Sequence, residues 1–160
     1  MALIAVNPEI LSMPSPQALP LRYLLAEDGK TWKKGEFCIL TSGTVTPLVA
    51  SGSTAVYGIF AEDQATSTST SSVWVRILQI GTRLAMSVMT SGTAATAATA
   101  EIGVKYGARG LSNVSYLDTG TASGQFQVVG PLSAYDEYSD SQFDTDAAPG
   151  RIIADFTAVS

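Results

Sequence analysis

The sequence predicts an all-β fold: a small β-barrel or β-sandwich with short strands, long Ser/Thr/Ala-rich loops and an extended N-terminal arm. Three observations predict it. Short apolar runs are separated by Gly- and Ser-containing turns at a spacing of ~8–12 residues, which is the grammar of barrels and sandwiches. No long stretch carries the 3.6-residue apolar period of an amphipathic helix. Pro8, Pro14, Pro16 and Pro20 interrupt the first twenty residues too often for a helix or a central strand. The organisation that follows is an arm over residues 1–20 and a single β domain over residues 21–160.

The arm is extended, because each proline biases its predecessor away from helical geometry. It is also apolar, with Leu3, Ile4, Val6, Ile10, Leu11, Met13 and Leu19. A free tail is normally polar, so this arm is expected to lie on protein. It either packs back on its own domain or reaches a neighbouring subunit. The second alternative predicts that deletion of residues 1–19 weakens attachment more than folding.

Along the body, Leu21-Arg22-Tyr23-Leu24-Leu25 is a strand closed by the turn signal Glu27-Asp28-Gly29-Lys30. A strand over residues 37–40 turns at Ser42-Gly43 and returns over 45–49. Residues 55–61 form a strand in which Gly58 marks a bulge or a close backbone approach. Residues 64–72 are a Thr/Ser tract, expected as an exposed loop. The strand over 73–80 places Val73, Val75 and Ile77 on one face and Trp74, Arg76 and Leu78 on the other, with Trp74 expected in the core. Residues 83–88 are its expected hairpin partner. The Ala/Thr tract 90–100 is a loop with room for a short helix. Residues 102–107 and 114–117 pair through a turn at Arg109-Gly110. A strand over 125–129 follows, then an acidic and aromatic loop over 135–146. A closing strand over 151–156 is expected to pair with an earlier one.

Composition narrows the chemistry. The chain has 160 residues and a net charge of −5. Charged residues make up only 14%, against roughly 25% in an average globular protein. A surface rich in Ser, Thr, Ala and Gly suits an assembly, where burying Lys and Glu is costly. There is no His, so the commonest acid–base group near neutral pH and the commonest metal ligand are missing. The single Cys38 lies in an apolar run and reads as a buried, inert thiol. Lack of disulfides fits folding in a reducing cytosol. The acidic stretch Asp136, Glu137, Asp140, Asp144 and Asp146 has neither an EF-hand pattern nor a clear acid–base pair. The expectation is a non-enzymatic protein with no catalytic residue, cofactor or metal. No run reaches the ~18 apolar residues of a membrane span, and the basic residues are scattered, so neither membrane nor nucleic acid is an expected partner. Tyr135 and Tyr138, aromatic residues in a polar segment, join the arm residues as interface candidates.

Several segments together resemble phage capsid decoration, or cement, proteins of tailed phages. Lys34-Gly35-Glu36-Phe37-Cys38-Ile39-Leu40 resembles their basic–Gly–acidic lead into a strand. Tyr57-Gly58-Ile59-Phe60-Ala61-Glu62-Asp63, the Thr/Ser loop and Val73-Trp74-Val75-Arg76-Ile77 look like their next element. Arg83-Leu84-Ala85-Met86-Ser87-Val88 and Ile102-Gly103-Val104-Lys105-Tyr106-Gly107 continue the likeness, which covers residues 30–110. The resemblance implies a structural virion protein, made in the host bacterial cytoplasm, that binds the outer capsid surface and reinforces contacts between capsomers. It implies the major capsid protein and further copies of itself as partners, as a trimer in preference to a dimer. The alternative reading is a carbohydrate- or host-surface-binding β module of a phage head or tail fibre, in which Trp32, Tyr57, Trp74, Tyr106, Tyr116, Tyr135 and Tyr138 supply a sugar platform.

Overall fold

The computed structural model describes residues 5–13, 19–49, 51–132 and 148–158. Among them are twelve strands and one short 3-10 turn, Ala97–Thr99, and no α-helix. Among the described residues no helix is long and apolar enough to cross a membrane. The strands form two sheets.

The smaller sheet has the order β2-β6-β5-β3-β4, from Leu21–Leu25 (β2), Phe37–Thr41 (β3), Thr44–Pro47 (β4), Gly58–Phe60 (β5) and Ser72–Ile77 (β6). The β3–β4 turn uses Ser42 and Gly43 at positive φ (50° and 84°), as a tight hairpin requires. The sheet curls until its edges touch. Ala26 bridges Val45, and the Glu27 N–H donates to the Val45 carbonyl at 2.9 Å. Inside the curl lie Ala26, Trp32, Cys38, Val45, Phe60, Val73 and Val75, with Trp32 stacked on Phe60 at 4.4 Å. Gly58 is there because a Cβ would come within 2.5 Å of the Arg76 carbonyl oxygen.

The larger sheet is built on Arg83–Thr90 (β7), Thr93–Ala94 (β8), Lys105–Leu111 (β9), Val114–Ala122 (β10), Phe126–Pro131 (β11) and Arg151–Phe156 (β12), with Glu9–Ser12 (β1) added at its edge. Its pairings return on themselves: β7 to β10, β9, β11, β12 and back to β7. β7 is covered on both faces, as its near-continuous apolar sequence requires. Leu84, Met86 and Val88 join the main core, and Ala85 packs with Leu132 and Ile153.

The main core joins the sheets. Phe37 and Ile59 of the small sheet pack with Leu84, Met86, Phe126 and Ile152 of the large one. Phe37 stacks on Phe126 at 5.0 Å, and Phe126 meets Phe156 at 5.5 Å. The Phe37 N–H also donates to the buried Ser115 hydroxyl across the same boundary (2.8 Å). The all-β prediction therefore holds, with both sheets tending toward closure.

Three local expectations are corrected. β7 is not the hairpin partner of β6: after Ile77 the chain turns at Gly81 (φ 96°) and crosses to the other sheet. β9 and β10 turn at Ser112 and Asn113 (φ 52° and 62°), not at Arg109-Gly110. Gly110 serves a contact instead, since a Cβ there would lie 2.3 Å from the Leu48 carbonyl oxygen. The 64–72 tract is exposed at Ala65, Thr66, Thr68, Ser69 and Thr70, as expected, but it is pinned at Ser67. Ser67 is 2% exposed. Its backbone and hydroxyl bond Gly29, Lys30 and Glu27, while Gln64 pairs with Trp32. Burial of a small polar residue is tolerated because its groups are paired.

For the arm, the described residues take the first of the two courses the sequence allows. Residues 5–13 lie on the chain's own body. β1 pairs antiparallel with β7, Ile10 packs on the main core, and Pro8 is buried. Val6 exchanges backbone bonds with the Ser87 hydroxyl (3.2 and 3.3 Å). The Asn7 side chain clamps the β9–β10 hairpin, donating to the Asn113 carbonyl (3.2 Å) and accepting from the Ser115 N–H (2.9 Å). Leu19, an interface candidate from sequence, is 3% exposed and belongs to the core. Deletion of residues 1–19 thus removes a core side chain and a strand, so it strikes folding directly.

Candidate functional site

The remaining sequence candidates fall into two groups. Val6, Leu11 and Met13 are 41%, 42% and 40% exposed along the outside of the arm, and Ile10 is half-buried. Leu3, Ile4, Tyr135 and Tyr138 lie outside the described residues, as does the acidic stretch 136–146.

The strongest exposed apolar surface was not among those candidates. It is the outer face of β2 and β6. Register places Leu21 opposite Arg76, Tyr23 opposite Trp74 and Leu25 opposite Ser72, and paired residues share a face. Leu21 (45%), Tyr23 (60%), Leu25 (44%) and Trp74 (42%) are all exposed. The Tyr23 and Trp74 rings lie 4.9 Å apart at 34°. Trp74 is thus not a core residue. The inside of the curl is filled by Val73 and Val75, and the large sheet covers only the β3–β5 end of the outer face, where Phe37 and Ile59 sit. Beside the aromatic pair stand Arg76 and, on the other face of β2, exposed Arg22. Neither forms an ion pair among the described residues. Trp, Tyr and Arg clustered on a rigid strand pair are the residue types that carry most protein–protein binding energy.

Of the other aromatics offered as a sugar platform, Trp32 is fully buried and its indole N–H donates to the Glu62 carbonyl at 3.0 Å. Tyr106 is 8% exposed and belongs to the main core. Tyr57 packs on the core of the small sheet.

A shallow cleft of about 290 Å³ runs between the small sheet and the β9–β10 hairpin, lined by residues including Thr31, Glu36, Leu48, Leu111 and Asn113. Burial pushes the Glu36 carboxyl up, against the lowering effect of the Lys33 N–H that donates to it at 2.5 Å. Among the described residues Glu36 is the one carboxylate in the lining, whereas glycoside hydrolysis needs two. No cluster of three or more metal-ligating side chains occurs among the described residues.

Cys38 is fully buried, and that burial pushes its thiol up to about 12, against a lowering by the Gly58 backbone. At pH 8 a disulfide reagent such as Ellman's is expected to leave the native protein unlabelled and to label one thiol after urea unfolding. Labelling of the native protein at the rate of a free thiol would show that the curl opens.

Neither a protein-family model nor a curated protein sequence matches this chain. The fold and its surfaces define a two-sheet, all-β protein whose most conspicuous outward feature is an aromatic and aliphatic strand face.

Proposed function

We propose that the protein is a structural component of a phage virion that adheres to the outer capsid surface and reinforces contacts between capsomers. The observation that carries this reading is the exposed Leu21–Tyr23–Leu25–Trp74 face beside Arg76. Its supporting elements are rigid: β6 is held between β2 and β5 and backed by Val73 and Val75. A preorganised apolar face loses little entropy on docking. Contacts repeated over a symmetric shell add up by multivalency, and binding energy present only in the assembled shell stabilises it by linkage. The exposed arm residues Val6, Leu11 and Met13 offer a second contact, and self-association at a symmetry axis belongs to the same reading.

The Tyr23–Trp74 pair is also the observation that favours the alternative, a glycan-binding module. Sugar platforms favour coplanar rings, and a 34° tilt departs from that.

The test uses DNA-filled heads lacking the protein. Wild type is expected to co-sediment with them, and Tyr23→Ser with Trp74→Ser to weaken binding by more than about tenfold, as loss of a hot-spot pair does. Retention of wild type in the supernatant at saturating concentration, together with binding on a glycan array, would replace the capsid reading with the carbohydrate one.

A further inference from the structure

The hydrogen-bond register of β2 fixes which of its backbone groups are free. The Ile77 N–H donates to the Pro20 carbonyl at 2.8 Å, and the Ala26 N–H donates to the Ser71 carbonyl at 2.9 Å. With Leu21 opposite Arg76, these bonds place residues 20 and 26 at hydrogen-bonded positions of the antiparallel ladder. Such positions alternate. Residues 20, 22, 24 and 26 therefore face β6, and Leu21, Tyr23 and Leu25 turn their N–H and C=O groups to the opposite edge. β4 closes that edge only at its far end, through Ala26 and Glu27. The stretch over Leu21 and Tyr23 has no backbone partner among the described residues.

Open edges of this kind are usually protected by inward charges, bulges or a covering loop. This one carries Leu21 and Tyr23 on its outer face, backed by Trp74, with one charge, Arg22, between them on the face of Val75. We propose that the open edge of β2 is an acceptor for an extended peptide segment of a partner protein, which adds as a further strand and carries apolar–acidic–apolar side chains in succession. The pattern follows from the pleat. Added residues opposite Leu21 and Tyr23 project on the same side as Tyr23 and Trp74, so apolar groups are favoured there. The residue between them projects on the side of Arg22, which has no ion pair among the described residues and therefore selects a carboxylate. Arg76, beside Leu21 on the aromatic face, favours a second acidic group at the end of the segment.

The same geometry argues against a second copy as the occupant. The twofold antiparallel register that pairs both open residues, between buried Leu19 and the closed end at Ala26, sets Leu21 opposite Tyr23 of the second copy. It would also set Arg22 directly opposite Arg22, a like-charge pair that opposes association.

The proposal deepens the adhesive reading given above, and its test does not require the capsid. The probe is the peptide acetyl-Thr-Val-Glu-Val-Thr-amide, titrated into isotopically labelled protein and followed by amide NMR and hydrogen exchange. The Leu21 and Tyr23 amides are expected to shift and gain protection, while those of Arg22 and Leu24, already bonded to β6, change little. The same peptide with Lys in place of Glu is expected to bind about tenfold more weakly. Arg22→Glu, a surface change that leaves the ladder intact, is expected to invert that preference. Tyr23→Pro, which removes the outward N–H along with the ring, is expected to abolish binding, whereas Tyr23→Ala, which removes the ring and keeps the N–H, is expected to weaken binding while keeping the alternation of amide shifts.

Equal binding of the Glu and Lys peptides, or shifts without the alternation, would overturn the proposal. So would concentration-dependent dimerisation of the protein alone that Tyr23→Pro removes, since that assigns the edge to a second copy. Peptide binding without head binding leaves the edge standing and removes the capsid reading. Head binding with an inert edge does the reverse.

Discussion

Asp118→Ala is expected to lower the unfolding free energy by about 3–5 kcal/mol, the cost of removing one member of a buried, hydrogen-bonded ion pair. Asp118 lies on β10 with no exposed surface. Its carboxylate accepts from Arg109 Nε at 2.8 Å, the Ser91 N–H at 2.8 Å, the Gly120 N–H at 3.0 Å and the Thr121 hydroxyl at 2.8 Å. Alanine leaves Arg109 and the Ser91 and Gly120 donors without this acceptor. Urea denaturation followed by far-ultraviolet circular dichroism measures the loss. A change below about 0.5 kcal/mol, the range of ordinary surface substitutions, would show that the cluster is not a structural keystone.

The same carboxylate sets an acid limit. Burial pushes its pKa up, but the bonds from Arg109, Ser91, Thr121 and Gly120 outweigh burial and hold it below the usual carboxylate range. A depressed folded-state pKa gives stability that is fully present above the unfolded value of about 3.9 and is lost as pH falls toward the folded value. Wild type is expected to weaken from about pH 4 downward. Asp118→Ala should show a flatter profile through the same window.

Phe126→Ala should cost about 3–5 kcal/mol, as large-to-small changes at buried aromatics do. Phe126 is fully buried on β11 and touches Phe37 of the small sheet on one side and Phe156 of β12 on the other. The cavity therefore opens at the boundary between the sheets. Because the main core contains residues of both, the variant is expected to unfold in one transition at lower denaturant, with fluorescence and circular dichroism coincident. Two separated transitions would mean that the small sheet holds together without the large one.

Much of the fold was legible in the sequence, since alternation and turn chemistry are local. The strands at Leu21–Leu25, Phe37–Thr41 and Arg151–Phe156 and the Ser42-Gly43 turn were read nearly as they stand. What was not legible depends on which face a neighbour covers. Alternation separated Val75 from Trp74 correctly, but only the position of the large sheet, over β3 and β5 and not over β2, makes Trp74 an outward residue. Composition misread Ser67, because its burial rests on hydrogen bonds to a segment almost forty residues away in sequence. Gly110 looked like a turn and is a contact with Leu48. The Asp118 cluster was not legible, since the strand read from the sequence stops at Leu117 and the buried aspartate falls just beyond it. The exposed aromatic face was half visible, as Tyr23 and Trp74 each sat in a recognised strand. Their adjacency required the β2–β6 register.

The flanking of β7 by the first and last strands has a mechanical consequence. β1 and β12 both run antiparallel to β7, with Glu9 opposite Ala85 and Asp155 opposite Arg83. Tension that draws the start of β1 away from the end of β12 acts along the strand axes, in opposite senses. The bonds on either side of β7 are then strained together, as in a lap joint, and not opened one after another as in a zip. A molecule held at one end and tugged at the other meets its full resistance at the outset.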